Sequence, residues 1–353
     1  MIISSFRLQN FRSYLDESFE FGEGVNIIVG PNASGKTNLL EAILVISRGY
    51  SYRANDPELI NHNSDWLRLD AWMPNHHVIK IQRNSDGLIQ KNFEFEGKKY
   101  KKIPNSNLVP YVLFEPNNLL EISTSPSQRR DFIDNILVQT NPIFNNLKKR
   151  YLRVLLQRNT LLKKRRFLAD ELFVWNVRLA EFGGVIAESR HQLIKKLNSS
   201  ITNIYSGFAG SKNQVHLNYS PPNNRQDYAS AMIKKLQERL KIDKERGFTS
   251  VGPHREDIQI KLNENDLQNT ASRGETRTLL LALKVAEAEL IEDVVGKKPL
   301  LLLDDVFSEL DGARRQALTH ALKDHQVFIT TTDADVVVQH FTTNCTIIPL
   351  VKK

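Results

Sequence analysis

Cysteine is almost missing from this chain of 353 residues: Cys345 is the only one, which excludes an intrachain disulfide and a thiolate metal cluster and fits a reducing compartment. No apolar run approaches the ~18 residues of a membrane helix, and residues 1–11 lack the apolar segment of a secretory signal. The expectation is a cytoplasmic protein with no membrane partner. Internal repeats and low-complexity tracts are also missing. One stretch lacks charge of one sign. Between Asp134 and Asp170 there is no acidic residue, yet Lys148, Lys149, Arg150, Arg153, Arg158, Lys163, Lys164, Arg165 and Arg166 all fall there. If helical, as its leucines suggest, this segment presents a positive face to a polyanion such as DNA; the alternative is a solvated helix facing acidic elements elsewhere in the fold. The net charge of +8 and pI near 9.4 point the same way. No base-reading motif is visible, so recognition should be of DNA form rather than sequence.

What is present begins with Gly30-Pro31-Asn32-Ala33-Ser34-Gly35-Lys36-Thr37, which follows the apolar run 25–29 and opens an apolar-periodic helix at Asn38. This is the P-loop in its strand-loop-helix setting. Two glycines let the backbone curl so that successive N–H groups face a phosphate chain, and the helix start adds its positive dipole end. Lys36 is expected to reach the β and γ phosphates, and the Thr37 hydroxyl to ligate Mg²⁺.

Short alternating runs at 2–9, 18–21, 66–73, 78–83 and 88–96 suggest an antiparallel sheet beside this site. From 117 to 246 the pattern turns helical, with one extended run at 215–219. Strand and helix signals then return: 257–262, a helix from Gly274, the strand 300–303, a helix over 312–322 and the strand 327–331. The expected fold class is α/β. Residues 1–116 and 247–353 would form a discontinuous nucleotide-binding head with a mixed sheet and an antiparallel β subdomain; 117–246 would form an inserted helical lobe that contacts DNA or clamps a dimer.

Leu300-Leu301-Leu302-Leu303-Asp304-Asp305 is a buried strand ending in two carboxylates, the pattern of a Walker B metal anchor. Asp304 is expected to hold the Mg²⁺ sphere and Asp305 to orient the attacking water and accept its proton. Upstream, Ser272-Arg273-Gly274-Glu275 begins a long helix and satisfies a capping box; downstream follows Ser308-Glu309-Leu310-Asp311. The order of P-loop, Ser-x-Gly-Glu, Walker B and Ser-Glu-Leu-Asp resembles the layout of ATP-binding-cassette (ABC) heads. In that branch Ser272 and Gly274 would meet the γ-phosphate of ATP held by the opposite subunit.

The resemblance extends further, to the RecF family of recombination ATPases related to SMC heads. It rests on 8–14 (Leu-Gln-Asn-Phe-Arg-Ser-Tyr), 114–119 (Phe-Glu-Pro-Asn-Asn-Leu), 125–134, the run Gly252-Pro253-His254-Arg255-Glu256-Asp257, and 303–311. It implies an ABC-type ATPase head with a helical second lobe, ATP and Mg²⁺ as cofactors, slow DNA-stimulated hydrolysis and ATP-dependent homodimerisation. It also implies binding to gapped or single-strand/double-strand junctions, and action with RecO and RecR to help RecA load. By position in the motifs, Arg12 would lie near the nucleotide, Asn117 at the metal and γ-phosphate sensor, and Thr332 at the place of the transporter switch histidine. With Asp305 in place of the transporter glutamate, Thr332 implies slow turnover. Arg273 and Glu275 depart from the commonest family signature, whereas Ser272 and Gly274 keep it. His254 and Arg255 read as structural or interface residues, since one histidine with no spaced partner is a poor metal site. A transporter ATPase subunit would share the nucleotide motifs but not the basic insertion. An SMC-type ring would need sustained heptads that 117–246 lacks.

Overall fold

The computed structural model of the chain describes residues 2–115, 122–164, 169–221, 225–267, 271–307, 310–339 and 345–351. Asn117, Arg165, Arg166, Ser308 and Glu309 lie outside the described residues. The chain packs as two units, Met1–Leu119 with Glu287–Lys353, and Leu120–Ala286.

The first unit opens with β1 (Ser5–Phe11), β2 (Tyr14–Glu20), β3 (Val25–Val29), α1 (Lys36–Arg48) and the short α2 (Asp56–Leu59). Strands β4 (Trp66–Trp72), β5 (His76–Arg83), β6 (Ile89–Phe95), β7 (Lys98–Tyr100) and β8 (Tyr111–Phe114) follow. The second unit comprises α3 (Pro126–Thr140), α4 (Phe144–Leu162), α5 (Ala169–Ala209), β9 (Val215–Tyr219), α6 (Arg225–Glu238), α7 (Leu240–Arg246), β10 (Ile258–Leu262), β11 (Asn265–Asp266) and the first part of α8 (Arg273–Val295). The chain then returns to the first unit with β12 (Leu300–Asp304), α9 (Gly312–Leu322), β13 (Val327–Thr331), α10 (Asp335–Val338) and β14 (Cys345–Pro349).

Two sheets build the first unit. Six antiparallel strands run in the order β2-β1-β4-β5-β6-β7, and five parallel strands in the order β14-β3-β13-β12-β8. Alternation explains the first: Phe6 and Leu8 of β1 are buried while Arg7 between them is exposed. Continuous apolar runs explain the second, with Leu300, Leu301, Leu302 and Leu303 all buried. Helix α1 packs against β4 and β5 of one sheet and β12 and β13 of the other. It is apolar around its circumference, as a helix enclosed on all sides must be; Leu39, Leu40, Ile43 and Leu44 expose no surface. Gly49 ends it in the left-handed region, φ +79°, its N–H donating to Val45 O at 2.7 Å.

The second unit extends past the expected boundary at 246, to Ala286. The reason is pairing: β10 runs antiparallel to β9 with Ile258 opposite Tyr219, so a lobe expected to be helical carries the three-stranded sheet β11-β10-β9. The run 252–257 is built into its interior. Gly252 has φ +125°, and a Cβ there would lie 2.7 Å from Tyr151 Oη. Pro253 O accepts from Arg190 Nη1 at 2.7 Å, and Arg190 grips buried Asp134 through Nε and Nη2 at 2.9 and 3.1 Å. Glu256 accepts from Tyr228 Oη at 2.6 Å and from Tyr219. Asp257 accepts both arms of Arg129 at 2.9 and 2.7 Å. Burial alone would raise the Asp134 carboxyl, but the charge and hydrogen bonds of Arg190, with Lys148, hold it below the ordinary value.

His254 shares this interior. Its Nε2 lies 3.1 Å from Thr249 O and must donate, so Nδ1 accepts from Tyr151 Oη at 2.6 Å. Burial, helped by nearby arginines, lowers its pKa to about 4. Below the ordinary histidine value of about 6.5 the unfolded chain takes a proton that folded His254 refuses. This contribution to stability is therefore complete above pH ~6.5 and is lost as pH falls towards about 4. Thermal unfolding across that window should show a falling midpoint, with His77 and His325, also lowered by burial, adding to the slope. His254→Gln should flatten the slope; an unchanged one would contradict the assignment.

Candidate functional site

Parallel strands deliver their carboxyl ends to one edge, where ligands bind in open α/β sheets. At that edge β3 leads into the P-loop, β12 ends in Asp304, β13 ends in Thr330 and Thr331, and β8 is followed by Glu115. A cleft of about 680 Å³ opens there. The P-loop residues Asn32, Ala33, Gly35, Lys36 and Thr37 line it with Asn38 on one side; Asp304, Asp305, Thr330 and Glu115 line it on the other.

The loop geometry suits an anion. Gly35 takes φ +99° and Ala33 φ +66°, and no side chain caps the first turn of α1, whose N–H groups remain open. At Gly30 a Cβ would meet Leu350 O and Ser34 Oγ at 2.6 Å, so the tight curl requires glycine. Pro31 O and Gly30 O accept from Lys36 Nζ at 3.0 and 2.7 Å, folding the lysine back on its own loop. Ser34 Oγ is buried with no hydrogen-bond partner among the described residues, a place that a phosphate oxygen or a loop N–H rearranged around one would fill.

Opposite the loop, Asp304 Oδ1 accepts from Thr37 Oγ1 at 3.1 Å and from Thr330 Oγ1 at 2.6 Å. Asp305 adopts φ +54°, a conformation rare outside glycine, and its N–H donates to Thr330 Oγ1 at 3.0 Å. Thr330 thus ties the Asp304 carboxylate and the Asp305 backbone to the neighbouring strand. Thr37, Asp304, Asp305 and Glu115 supply oxygen donors only, as a hard cation such as Mg²⁺ requires. Among the described residues there is no group of three or more His, Cys, Asp or Glu that could hold a metal ion.

Other expected residues are placed elsewhere. Arg12 does not line the cleft; its Nε and Nη2 each donate to the fully buried Glu41 at 3.0 Å. Thr332 is exposed just beyond β13, outside the cleft lining, and Thr330 two residues earlier holds the inner position. Asp311 caps α9, accepting from Arg314 N at 2.9 Å. In the second unit Ser272 and Glu275 form the capping box: Glu275 Oε2 accepts from Ser272 N at 2.9 Å and Ser272 Oγ at 2.8 Å, and Ser272 Oγ accepts from Glu275 N at 3.2 Å. Those bonds lower the Glu275 carboxyl below its ordinary value. Gly274 O accepts from Thr278 Oγ1 one turn on.

The basic segment is split by its helix. Lys149, Arg150 and Arg153 are exposed on α4, and Lys163 and Lys164 just past its end. Lys148 is instead held by Asp134 at 2.9 Å. Arg158 is fully buried between Asp243, Asn176 and Thr249.

Sequence reasoning did not find Ser13, Tyr52, Arg53, Glu115 or Thr330, all of which line the cleft. The position of Thr330 at the carboxyl end of a strand between β3 and β12 was an available signal; Arg53 follows α1 with no motif to mark it.

The chain matches the AAA domain family over residues 5–291. The DNA replication and repair protein RecF of Alkaliphilus oremlandii is 36% identical over 348 residues, covering 94% of this chain and 93% of that protein. RecF of Staphylococcus aureus (strain JH9) is 34% identical over 352 residues, covering 95% and 94%. The chain belongs to the RecF family. Among solved structures, the recombination mediator protein RecF-ATPrS in the RecFOR pathway superposes with a TM-score of 0.87 at 29% identity, covering 99% of this chain and 97% of that one. The Smc head bound to the C-winged helix domain of ScpA, at 17% identity and TM-score 0.54, shares the fold. The architecture is that of an ABC-type ATPase head, mixed α/β with an antiparallel sheet. Among the described residues no helix is long and apolar enough to cross a membrane.

Removing the Thr330 hydroxyl takes one donor from Asp304 and the acceptor from Asp305 N–H. Thr330→Val is expected to lower the unfolding free energy by about 1–3 kcal/mol, whereas Thr332→Val at its exposed position should change it by less than about 0.5 kcal/mol. Denaturant titration of the two variants checks the placement.

Proposed function

We propose that the chain is a slow, DNA-stimulated ATPase that binds ATP with Mg²⁺, closes as a homodimer on gapped or junction DNA, and works with RecR and RecO to assist RecA loading in the cytoplasm. The observation that carries the reading is the convergence of Lys36, Thr37, Asp304 and Asp305 on one cleft beside an uncapped helix start. RecF with ATP has been solved as a recombination mediator of the RecFOR pathway, at 30% identity and TM-score 0.81, which supports it.

On binding, Lys36 leaves the carbonyls of Gly30 and Pro31 for the β and γ phosphates, and the N–H groups opening α1 receive the chain of phosphates. Thr37 and Asp304 would hold Mg²⁺, which would supply positive charge against that of the phosphates. Asp305 orients the attacking water and accepts its proton. Its carboxylate stands further from the water than a glutamate would, which favours slow turnover.

The second half of the site is Ser272 and Gly274 of a partner copy. The donors of Ser272 are engaged by Glu275 in the capping box, so a γ-phosphate must compete with that carboxylate for Ser272 N–H and Oγ. Because Glu275 is only partly buried, solvent readily takes over the displaced carboxylate. DNA contact falls to Lys149, Arg150, Arg153, Lys163 and Lys164, a phosphate-reading set with no base specificity.

Sedimentation with and without ATP tests the dimer. Lys36→Ala should lose ATP binding, while Ser272→Arg should bind ATP and remain monomeric; ATP-dependent dimers of Ser272→Arg would refute the trans arrangement. For DNA, each contact removed among Lys149, Arg150 and Arg153 should reduce the slope of log K against log salt by roughly 0.9, measured by fluorescence anisotropy. Lys148→Gln, already neutralised by Asp134, should leave the slope unchanged.

A further inference from the structure

Helix α4 turns one side inward, where Tyr151, Val154, Arg158 and Leu161 are buried, and its outer side is not uniformly charged. Leu152 and Leu156, one turn apart, are 47% and 63% exposed. Residues three and four apart share a helix face, so one outer stripe runs Lys149, Leu152, Arg153, Leu156, Thr160 and Lys163, all of them exposed. Of the cations from 148 to 163, only Lys148 and Arg158 form ion pairs among the described residues. No acidic residue stands between Asp134 and Asp170. An apolar pair is therefore bracketed by positive charge that no residue of its own helix neutralises.

An uninterrupted duplex would use only half of this pattern. At a rise of 1.5 Å per residue, the stripe from Lys149 to Lys163 is about 21 Å long, roughly six base-pair steps. Over that length a continuous duplex presents phosphates and sugars, which suit the cations and give the leucines no apolar cover. Where one strand stops, the last base pair shows its flat face, and leucine is among the side chains that wedge against unstacked bases. Scattered leucines on a surface are ordinary; two adjoining ones set between cations fit a break in a polyanion.

We propose that Leu152 and Leu156 form an apolar wedge that covers the exposed base pair at a single-strand/double-strand junction, with Lys149, Arg153 and Lys163 holding the phosphates on either side. The inference rests on the reading of α4 as a DNA-contacting surface and adds what that surface selects. Phosphate contact alone carries register and orientation; the leucines make the junction the preferred place.

The test uses the full chain with ATPγS and a fluorescent gapped duplex, displaced either by relaxed, covalently closed circles or by the same circles carrying one gap. A Lys149→Gln, Arg153→Gln double variant comes first; if it binds both circles as the wild type does, α4 is not the DNA surface and the wedge falls with it. Given weakening, Leu152→Ser with Leu156→Ser should lower the preference for gapped over closed circles by about fivefold or more. The slope of log K against log salt should be kept, since no phosphate contact is removed. An unchanged preference would overturn the proposal and leave the leucines to a protein partner, and equal weakening on both circles, the mark of a purely structural role, would overturn it too. Should the serine variant fail to fold, photocrosslinking of the wild-type chain decides. A 4-thiothymine in the last base pair before the gap should crosslink to Leu152 or Leu156 more than the same base inside the duplex, and equal yields would overturn the assignment.

Discussion

Enclosure of α1 between two sheets is the constraint from which the nucleotide cleft follows. Leu39, Leu40, Ile43, Leu44 and Val45 expose nothing, and full burial of one large aliphatic side chain is favourable by about 1.5–3 kcal/mol. Both sheets must therefore stay in register with the helix, and the loop before it is fixed at its far end by β3. A loop clamped at both ends can hold Ala33 and Gly35 at positive φ, whereas a free loop would relax them at a gain of about 1 kcal/mol or more for the non-glycine residue. The strain in the cradle is sustained by packing on the opposite side of the helix.

The carboxylates obey a different rule. A buried charge is tolerated only when its partners are complete, and each one here is treated accordingly. Asp134 is enclosed by Arg190 and Lys148, and Asp243 meets Arg158. These pairs tie helices α3, α4, α5 and α7 of the second unit to one another. In the cleft, the hydroxyls of Ser34 and Tyr52 are buried without hydrogen-bond partners among the described residues. Orphaned atoms are not confined to the cleft, since Arg158 Nη2 and His77 Nδ1 are also buried without a hydrogen-bond partner among the described residues; the cleft differs in adding the uncapped start of α1.

The same contrast explains what could be read from the sequence. The P-loop, the strand 300–304 with its two aspartates and the capping box at Ser272 are local patterns, where chemistry and chain order coincide. Strands β8 and β14 are short, and they exist because β12 and β3 pair with them. The continuation of the second unit to Ala286 depends on β10 finding β9, across a gap that no local signal spans. Arg158 and Arg153 look alike in sequence on the same helix. Only Asp243 and Thr249, far along the chain, draw one inside and leave the other in water. Arg12 and Arg53 pose the same problem: a motif singles out the first, while only the second lines the cleft.

Competition for shared donors gives the proposed dimer its reversibility. Ser272 N–H and Oγ cannot serve Glu275 and a phosphate at once, and Lys36 Nζ cannot stay on the carbonyls of its loop while neutralising a triphosphate. These two contacts therefore replace internal bonds, so the net worth of each is the difference between a charged phosphate and a carboxylate or carbonyl. Such differences are small compared with the gross interaction. Losing the γ-phosphate leaves the capping box and the loop contacts ready to reform, and separation of the subunits needs no step other than hydrolysis and release of phosphate.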